Sequence, residues 1–262
     1  MNLDLNHNLY SAYGWELALV SEPAEKRVAI HSCRRAFGDD LMWHLVLERA
    51  WTARGAVGGV TLTGDGFTVR LTPAGKDQLL IEADGCDLSL TMPKHFGYGT
   101  QTRPGRALIL SSQAHNYTGI HVSDGAMELL GPEEVLYDTI RRQRGSDVRI
   151  RAVEGRIRLR LQVGANEPDP RQPATDVMPV EADWENCRAG MPQVPARYRE
   201  LGELAWWTLW SSFVRAEPPF AADACLMSKA FMCKVWSWDH CFNALALVDT
   251  QPSRALEQFL LP

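Results

Sequence analysis

Hydrophobic and polar residues alternate in short runs through the first 163 residues, and glycine-containing turns separate these runs. Alternation with a period of two is typical of strands that have one buried and one solvated face. Residues 60–63 and 67–71 alternate in this way on either side of Gly64-Asp65-Gly66. The short glycine-containing turn between them predicts a β-hairpin.

Two later segments carry the same pattern. Residues 79–83 and 86–90 flank Asp84-Gly85, which predicts a second hairpin. In residues 156–163, arginine or glutamine alternates with isoleucine, leucine or valine. This segment predicts a strand with one apolar buried face and a row of solvated guanidinium groups on the other face.

One helix is expected to interrupt the strands, near residues 132–144. Pro132 suits a first helical position, Glu133 and Glu134 suit a first turn, and Gly145 suits a stop. The arginines just before Gly145 complement the negative end of a helix dipole.

The pattern changes at residue 164. Prolines are expected to keep the connector 164–195 extended and non-helical, namely Pro168, Pro170, Pro173, Pro179, Pro192 and Pro195. Residues 196–216 then follow a 3.6-residue period with an apolar surface around much of the cylinder. This pattern predicts a helix that is packed on several sides.

Composition supports a division into two differently built regions. Eighteen of the 20 glycines precede residue 184, whereas six of the nine tryptophans lie in the final 79 residues. A β-rich domain is therefore expected over residues 1–163 and a helical domain over 196–262. Within the helical domain, two shorter helices are predicted over 239–249 and from Ser253 onward.

Charge and cysteine usage exclude several classes of function. The chain has 27 Lys and Arg against 32 Asp and Glu, a net charge of −5, which argues against nucleic acid as a partner. Its six cysteines form no CxxC pair, and the one histidine near a metal spacing, His240, adjoins Cys241 and so points elsewhere on a helix; free thiols without a metal or cofactor are therefore expected. With no signal peptide and no stretch long enough for a membrane span, a cytoplasmic protein is expected.

The segment Trp236-Ser-Trp-Asp239 precedes an apolar helical run and carries the strongest candidate chemistry. The carboxylate of Asp239 can cap the helix that follows. An ionised aspartate beside indole rings can also accept hydrogen bonds from vicinal sugar hydroxyls while an indole covers the apolar face of the sugar. From the spacing alone, core packing with an N-cap explains the motif at least as well as sugar binding.

A resemblance to a known family rests on three groups of residues: 235–247, Met227-Ser-Lys229, and the tryptophans Trp206, Trp207 and Trp210. Together they resemble the opening of the helical barrel in glycoside hydrolase family 63 and its mannosylglycerate hydrolase-like relatives, and more loosely trehalase and glycogen-debranching enzymes. The resemblance covers about residues 196–262. It implies an N-terminal antiparallel β-sandwich followed by the first helices of an incomplete (α/α)6 barrel.

The resemblance also implies a substrate and candidate binding residues. Trp236, Trp238 and Asp239 fall where such enzymes line the subsite for the non-reducing sugar, and His240 beside them is a further candidate. Asp239 would bind sugar hydroxyls and would not be the proton donor. The expected reaction is hydrolysis of an α-glycosidic bond with inversion, without a cofactor. An α-glucoside, an oligosaccharide or a glycosyl-glycerate would be the carbohydrate substrate.

No catalytic residue is expected within this chain. Inverting hydrolysis needs an acid and a base roughly 6.5–9.5 Å apart, and the family places both downstream of the Trp-x-Trp-Asp motif. A barrel of twelve helices needs roughly 200 residues, whereas 67 follow Pro195. The chain is therefore expected to be an inactive N-terminal portion of a glycoside hydrolase. The alternative is a non-catalytic carbohydrate-binding or scaffold protein.

Overall fold

A computed structural model describes residues 3–34, 40–92, 97–103, 105–111, 116–130, 133–136, 140–144, 147–164, 177–218 and 220–261. The strands, in chain order, are β1 (Leu17–Glu22), β2 (Arg27–Ser32), β3 (Leu41–Val46), β4 (Trp51–Ala56), β5 (Gly59–Gly64), β6 (Phe67–Pro73), β7 (Gln78–Asp84), β8 (Leu88–Thr91), β9 (Gly97–Arg103), β10 (Arg106–Ser111), β11 (Asn116–Asp124), β12 (Ala126–Leu130), β13 (Glu133–Leu136), β14 (Ile140–Arg144), β15 (Asp147–Arg151), β16 (Arg156–Gly164), β17 (Phe213–Val214) and β18 (Ala224–Cys225). The helices are α1 (Val180–Ala189), α2 (Arg199–Ser211), α3 (Ser237–Leu247) and α4 (Pro252–Leu260), with single 3-10 turns at Pro23–Glu25 and Ala196–Tyr198.

The strands form two large antiparallel sheets. One has the order β1-β2-β3-β8-β15-β12, and the other has the order β13-β14-β9-β10-β11-β16-β7-β6-β5-β4. Strands β17 and β18 pair separately, beside the helices. A β-rich first part and a helical second part are therefore confirmed.

A single hydrophobic core joins the two large sheets and reaches the helices. Its buried members include Leu45 of β3, Leu71 of β6 and Trp207 of α2. The indole N–H of Trp43 on β3 donates to the hydroxyl oxygen of Thr118 on β11 over 3.1 Å, so the two sheets are also joined by a buried polar contact. A buried indole needs such an acceptor because an unpaired N–H would lose its hydration without compensation.

The hairpin predicted around Asp65-Gly66 is confirmed, because β5 and β6 pair from Gly64↔Phe67 outward. The second predicted hairpin is wrong. Strand β7 pairs with β6 and β16, whereas β8 lies in the other sheet between β3 and β15. Gly85 turns the chain from one sheet to the other with a φ of +79°. The Asp84-Gly85 sequence thus predicted correctly that one strand ends and another begins here. It did not predict that the second strand pairs in the other sheet.

The helix predicted near residues 132–144 is also wrong. Strands β13 and β14 occupy this segment and pair antiparallel from Glu133↔Gln143 to Leu136↔Ile140. Strand β14 continues onto β9 through Gln143↔Gly99. The open edge of β9 supplies main-chain partners, and β-branched Val135 and Ile140 favour strands, so tertiary pairing overrides the helix-like ends of the segment.

The connector is not wholly extended, because α1 begins directly after Pro179. A proline is compatible with the start of a helix because no intrahelical bond is lost there. Trp184 of α1 is buried, and its ring centroid lies 5.1 Å from that of Trp207 and 5.4 Å from that of Trp210. These contacts stabilise α1 against α2. Residues 165–176 of the connector lie outside the described residues.

Helix α2 is shorter than the predicted 196–216. It ends at Ser211 because Phe213 and Val214 pair with Cys225 and Ala224 in the β17–β18 ribbon. The strand prediction for 156–163 is confirmed, and its apolar side chains are buried in β16. The prediction of a helix from Ser253 onward is confirmed by α4. Among the described residues, no helix is long and apolar enough to cross a membrane.

Candidate functional site

Helix α3 carries the candidate motif, but it begins two residues earlier than predicted. Trp236 is the extended N-cap residue, with φ −123° and ψ 130°, and Ser237 is the first helical residue. The prediction that Asp239 caps the helix is wrong. Asp239 lies in the first turn instead, where its negative charge is favourable to the positive end of the helix dipole. Its carboxylate is therefore available for another interaction.

Asp239 lines a cavity of about 470 Å³, which we call the α2–α3 cavity. One wall comes from α2, a second from the chain after β18, and a third from α3. Its apolar lining includes Leu204, Leu209 and Phe242. The polar residues in the lining are Asn8, Thr208, Ser212, Asp239 and Asn243.

The Oδ2 atom of Asp239 is buried and has no hydrogen-bond partner among the described residues. Burying a carboxylate oxygen without a donor is costly, and a ligand with hydroxyl or amide groups would remove this cost. Asn243 lies four residues after Asp239, so its side chain projects from the same face of α3. The cavity thus combines an open anionic acceptor with a neighbouring amide and an apolar wall.

The other three predicted residues lie outside the lining of the α2–α3 cavity. Trp238 is 66% exposed and packs edge-to-face on Phe242, with 5.9 Å between ring centroids. Trp236 is 39% exposed. His240 is fully buried beneath the start of α3. The structure therefore brings Asp239 to the cavity and does not bring the two indoles and the imidazole there with it.

His240 stabilises the start of α3. Its Nδ1 lies 3.1 Å from the carbonyl oxygen of Trp236, an arrangement in which the ring N–H donates to that carbonyl. Burial lowers the pKa of His240, although the Trp236 carbonyl and the charge of Asp239 act in the opposite direction. A neutral imidazole that donates through Nδ1 leaves Nε2 as a buried acceptor without a partner.

The chain between β18 and α3 is fixed by two buried polar anchors. The Nζ of Lys229 donates to the carbonyl oxygens of Ala12 and Trp15. The N–H of Phe231 donates to Oδ2 of Asp40 over 2.6 Å, and the same oxygen lies 2.7 Å from Nδ1 of His31. These anchors hold the wall of the cavity that contains Leu226 and Met227 against the β-rich part of the molecule.

Sequence reasoning missed Phe242, Asn243 and Asn8 as lining residues. The first two lie three and four residues after Asp239, so helical periodicity from Asp239 would have found them. Asn8 comes from the other end of the chain, and no local pattern links it to α3. Among the described residues, no cluster of three or more His, Cys, Asp or Glu side chains could hold a metal ion.

No protein-family model matches this chain, and no curated protein matches it. The site is therefore interpreted from its own chemistry.

Proposed function

We propose that the α2–α3 cavity binds a sugar and that this chain is the N-terminal portion of a glycoside hydrolase that acts on α-glycosidic bonds. The observation that carries this proposal is the unpartnered, buried Oδ2 of Asp239 in a cavity with an apolar wall. A pyranose has a rim of hydroxyl donors and a less polar face. The carboxylate accepts from the rim, and the leucines and Phe242 cover the apolar face.

The exposed surface of the last two helices supports an incomplete barrel. Six large apolar side chains on this surface are each between 58% and 69% exposed: Trp238, Phe242, Leu245, Leu256, Phe259 and Leu260. We call this surface the α3–α4 face. Apolar residues at such helical spacing normally face a partner. We propose that this partner consists of further helices of an (α/α)6 barrel. We also propose that the two large sheets are the β-sandwich that precedes such a barrel.

Catalysis is assigned to residues outside the described cavity. Asp239 is the one carboxylate among the described residues that line it, whereas inversion requires two carboxyl groups roughly 6.5–9.5 Å apart. Binding by this chain and hydrolysis by a completed barrel are thus separate parts of the proposal. A cytoplasmic location belongs to the same proposal, since the six cysteines form no disulfide.

The alternative, a non-catalytic carbohydrate-binding protein, is favoured by the same single carboxylate. The two functions differ at the α3–α4 face, because only the barrel requires that face to be covered. Polar substitution of Leu256 and Phe259, the members of this face on α4 that lie outside the cavity lining, would leave sugar binding unchanged in a binding protein. In a barrel enzyme it would abolish assembly with the remaining helices.

Calorimetric titration with methyl α-glucoside, an α-linked disaccharide and glucosylglycerate tests the binding proposal. We expect saturable binding of at least one sugar with a Kd of about 1 mM or lower, which is about −4 kcal/mol. Asp239→Asn should weaken binding at least tenfold because the amide replaces the charged acceptor. Turnover of these sugars by the 262-residue chain is not expected.

Two variants serve as controls. Asp249→Asn changes an exposed carboxylate just after α3 and should bind like the wild-type chain. Glu257→Gln, which changes an exposed carboxylate on α4 outside the lining of the cavity, should also keep the affinity. Absence of saturable binding for all three sugars, or equal affinities of the wild-type chain and Asp239→Asn, would contradict the proposal.

A further inference from the structure

Lys229 is a buried lysine in an unusual polar environment. It is 1% exposed, and its Nζ atom lies 2.7 Å from the carbonyl oxygen of Ala12 and 2.5 Å from that of Trp15. Both acceptors are uncharged. Among the described residues, no carboxylate lies within ion-pair distance of this nitrogen.

The charged and titratable groups around Lys229 do not neutralise an ammonium ion. Glu16 is the nearby acid, and its carboxylate is already bound by the guanidinium of Arg34, with 2.7 Å between Nη2 and Oε1. Three thiols also face the site, and burial raises the pKa of each to about 12, so they are uncharged at neutral pH: Cys33, Cys225 and Cys233. Burial lowers the pKa of Lys229 to about 7, although nearby groups that include Glu16 act in the opposite direction.

The hydrogen bonds fit an uncharged amine. A neutral amine has two N–H donors and one lone pair, and the carbonyl groups of Ala12 and Trp15 take both donors. The lone pair is then left without a partner. This is the form in which a lysine acts as a nucleophile toward a carbonyl group.

Lys229 lines a second cavity, of about 220 Å³, next to the α2–α3 cavity. Its lining also includes Trp207, Ser211 and Ser228. The indole N–H of Trp207 is buried without a partner and is therefore available as a donor. His7, whose side chain is 81% exposed, lines the same cavity and connects it with solvent.

We propose that Lys229 is a covalent binding site for small hydroxy-aldehydes. The nitrogen lone pair attacks the aldehyde carbon, the C=O π bond breaks, and one proton moves from the nitrogen to the carbonyl oxygen to give a carbinolamine; the unpartnered indole N–H of Trp207 is the available donor to this oxygen. Loss of one water molecule then gives an imine, so amine plus aldehyde balances imine plus water. A cavity of about 220 Å³ equals about seven water molecules of about 30 Å³ each, which accommodates an aldehyde of three or four carbons.

The two cavities adjoin and share five lining residues, namely Asn8, Leu204, Thr208, Ser212 and Met227, but the two proposals rest on different side chains. Loss of sugar binding in Asp239→Asn would leave the reaction at Lys229 unchanged. Absence of a reaction at Lys229 would likewise leave the affinity for a glycoside unchanged.

Reductive trapping of the full chain tests the proposal. D-Glyceraldehyde and cyanoborohydride are added at pH 7, and modified lysines are identified by mass spectrometry of peptides. Lys234 is the matched control, since it is exposed and lies five residues away. A lysine in a model peptide, with a pKa of about 10.4, is about 0.04% neutral at this pH. We expect Lys229 to react at least tenfold faster than Lys234, whereas a rate ratio of one or less would overturn the proposal.

The pH dependence gives a second readout on the same samples. Between pH 8 and 9, the rate at Lys229 should change by less than twofold because the amine is already neutral. The rate at free Nα-acetyl-lysine, added to the same samples, should rise about tenfold over the same interval. A parallel tenfold rise at Lys229 would show that its amine titrates like that of a free lysine and would refute the inference.

Discussion

The carboxylate of Asp40 accepts a hydrogen bond from the backbone N–H of Phe231 over 2.6 Å, although 191 residues separate the two. Phe231 has a left-handed backbone with φ +67°, a conformation that is unfavourable for a residue with a Cβ atom. The buried Asp40–His31 pair thus holds a strained segment in place. That segment forms part of the chain that leads to the α2–α3 cavity.

Asp40→Asn is expected to lower the free energy of unfolding by about 2–4 kcal/mol at pH 6, because His31 and the N–H of Phe231 lose a charged acceptor. Urea unfolding of both proteins measures this difference. Asp65→Asn, at an exposed position, should change stability by less than about 0.5 kcal/mol.

The contribution of Asp40 should also depend on pH. Burial alone would raise its pKa, but hydrogen bonds from His31 and Phe231 outweigh burial and lower the pKa below its ordinary value. The stabilisation is therefore fully present above about pH 4, where the unfolded aspartate is ionised, and is lost as pH falls through the lowered pKa. The stability difference between wild type and Asp40→Asn should shrink from pH 6 to pH 3. A constant difference would contradict this assignment.

Gly85→Ala should be much more destabilising than Gly155→Ala. Both glycines have positive φ, +79° and +78°, so each alanine costs about 1–2 kcal/mol in backbone strain. A Cβ atom at Gly85 would also lie 2.3 Å from the carbonyl oxygen of Gly66, whereas one at Gly155 meets nothing within 4 Å. Thermal unfolding should show a lower Tm for Gly85→Ala, and equal Tm values would be inconsistent with the close contact.

Gln258 fixes α4 to the β17–β18 ribbon. Its Oε1 accepts from the N–H of Cys225 over 2.8 Å, and its Nε2 donates to the carbonyl oxygen of Asp223 over 2.7 Å. Gln258→Ala should cost about 2–4 kcal/mol because a buried backbone N–H and a partly buried carbonyl oxygen lose their partners. Glu257→Ala changes the exposed residue just before Gln258 and should cost less than about 0.5 kcal/mol in the same denaturation experiment.

Polar substitution of the α3–α4 face should improve the behaviour of the chain in solution. Leu256→Glu combined with Phe259→Glu removes two side chains that are 59% and 58% exposed. We expect weaker binding of a hydrophobic dye and higher solubility, with an unfolding free energy within about 0.5 kcal/mol of wild type. A large loss of stability would show that these side chains are packed within the chain itself.

Periodicity predicted the strands that have one clear apolar face, such as β16, and the helices α2, α3 and α4. Periodicity failed where pairing with a distant strand determines the local structure. The helix-like ends of 132–144 gave no information about the open edge of β9, and Asp84-Gly85 gave none about a change of sheet. The division into domains and the sugar-binding roles of Trp236, Trp238 and His240 stay predictions.

For the site, the sequence predicted Asp239 near the start of an apolar helix, and the structure has it in the first turn of α3 and in the lining of the α2–α3 cavity. The sequence did not predict that the neighbouring indoles lie elsewhere, because a helix places consecutive residues on different faces. Asn8 and Lys229 lie near the site because residues that are about 200 positions apart in the sequence contact each other. Such contacts depend on the packing of the β-rich part and have no local signature.

The distribution of thiol exposure has a practical consequence for experiments on this protein. All six cysteines lie in the described ranges, and Cys241 is the one that is exposed. It is in the first half of α3, two residues after Asp239. A thiol-reactive fluorophore at neutral pH would therefore attach mainly at this position, which gives a single labelling site on α3 without any engineered residue.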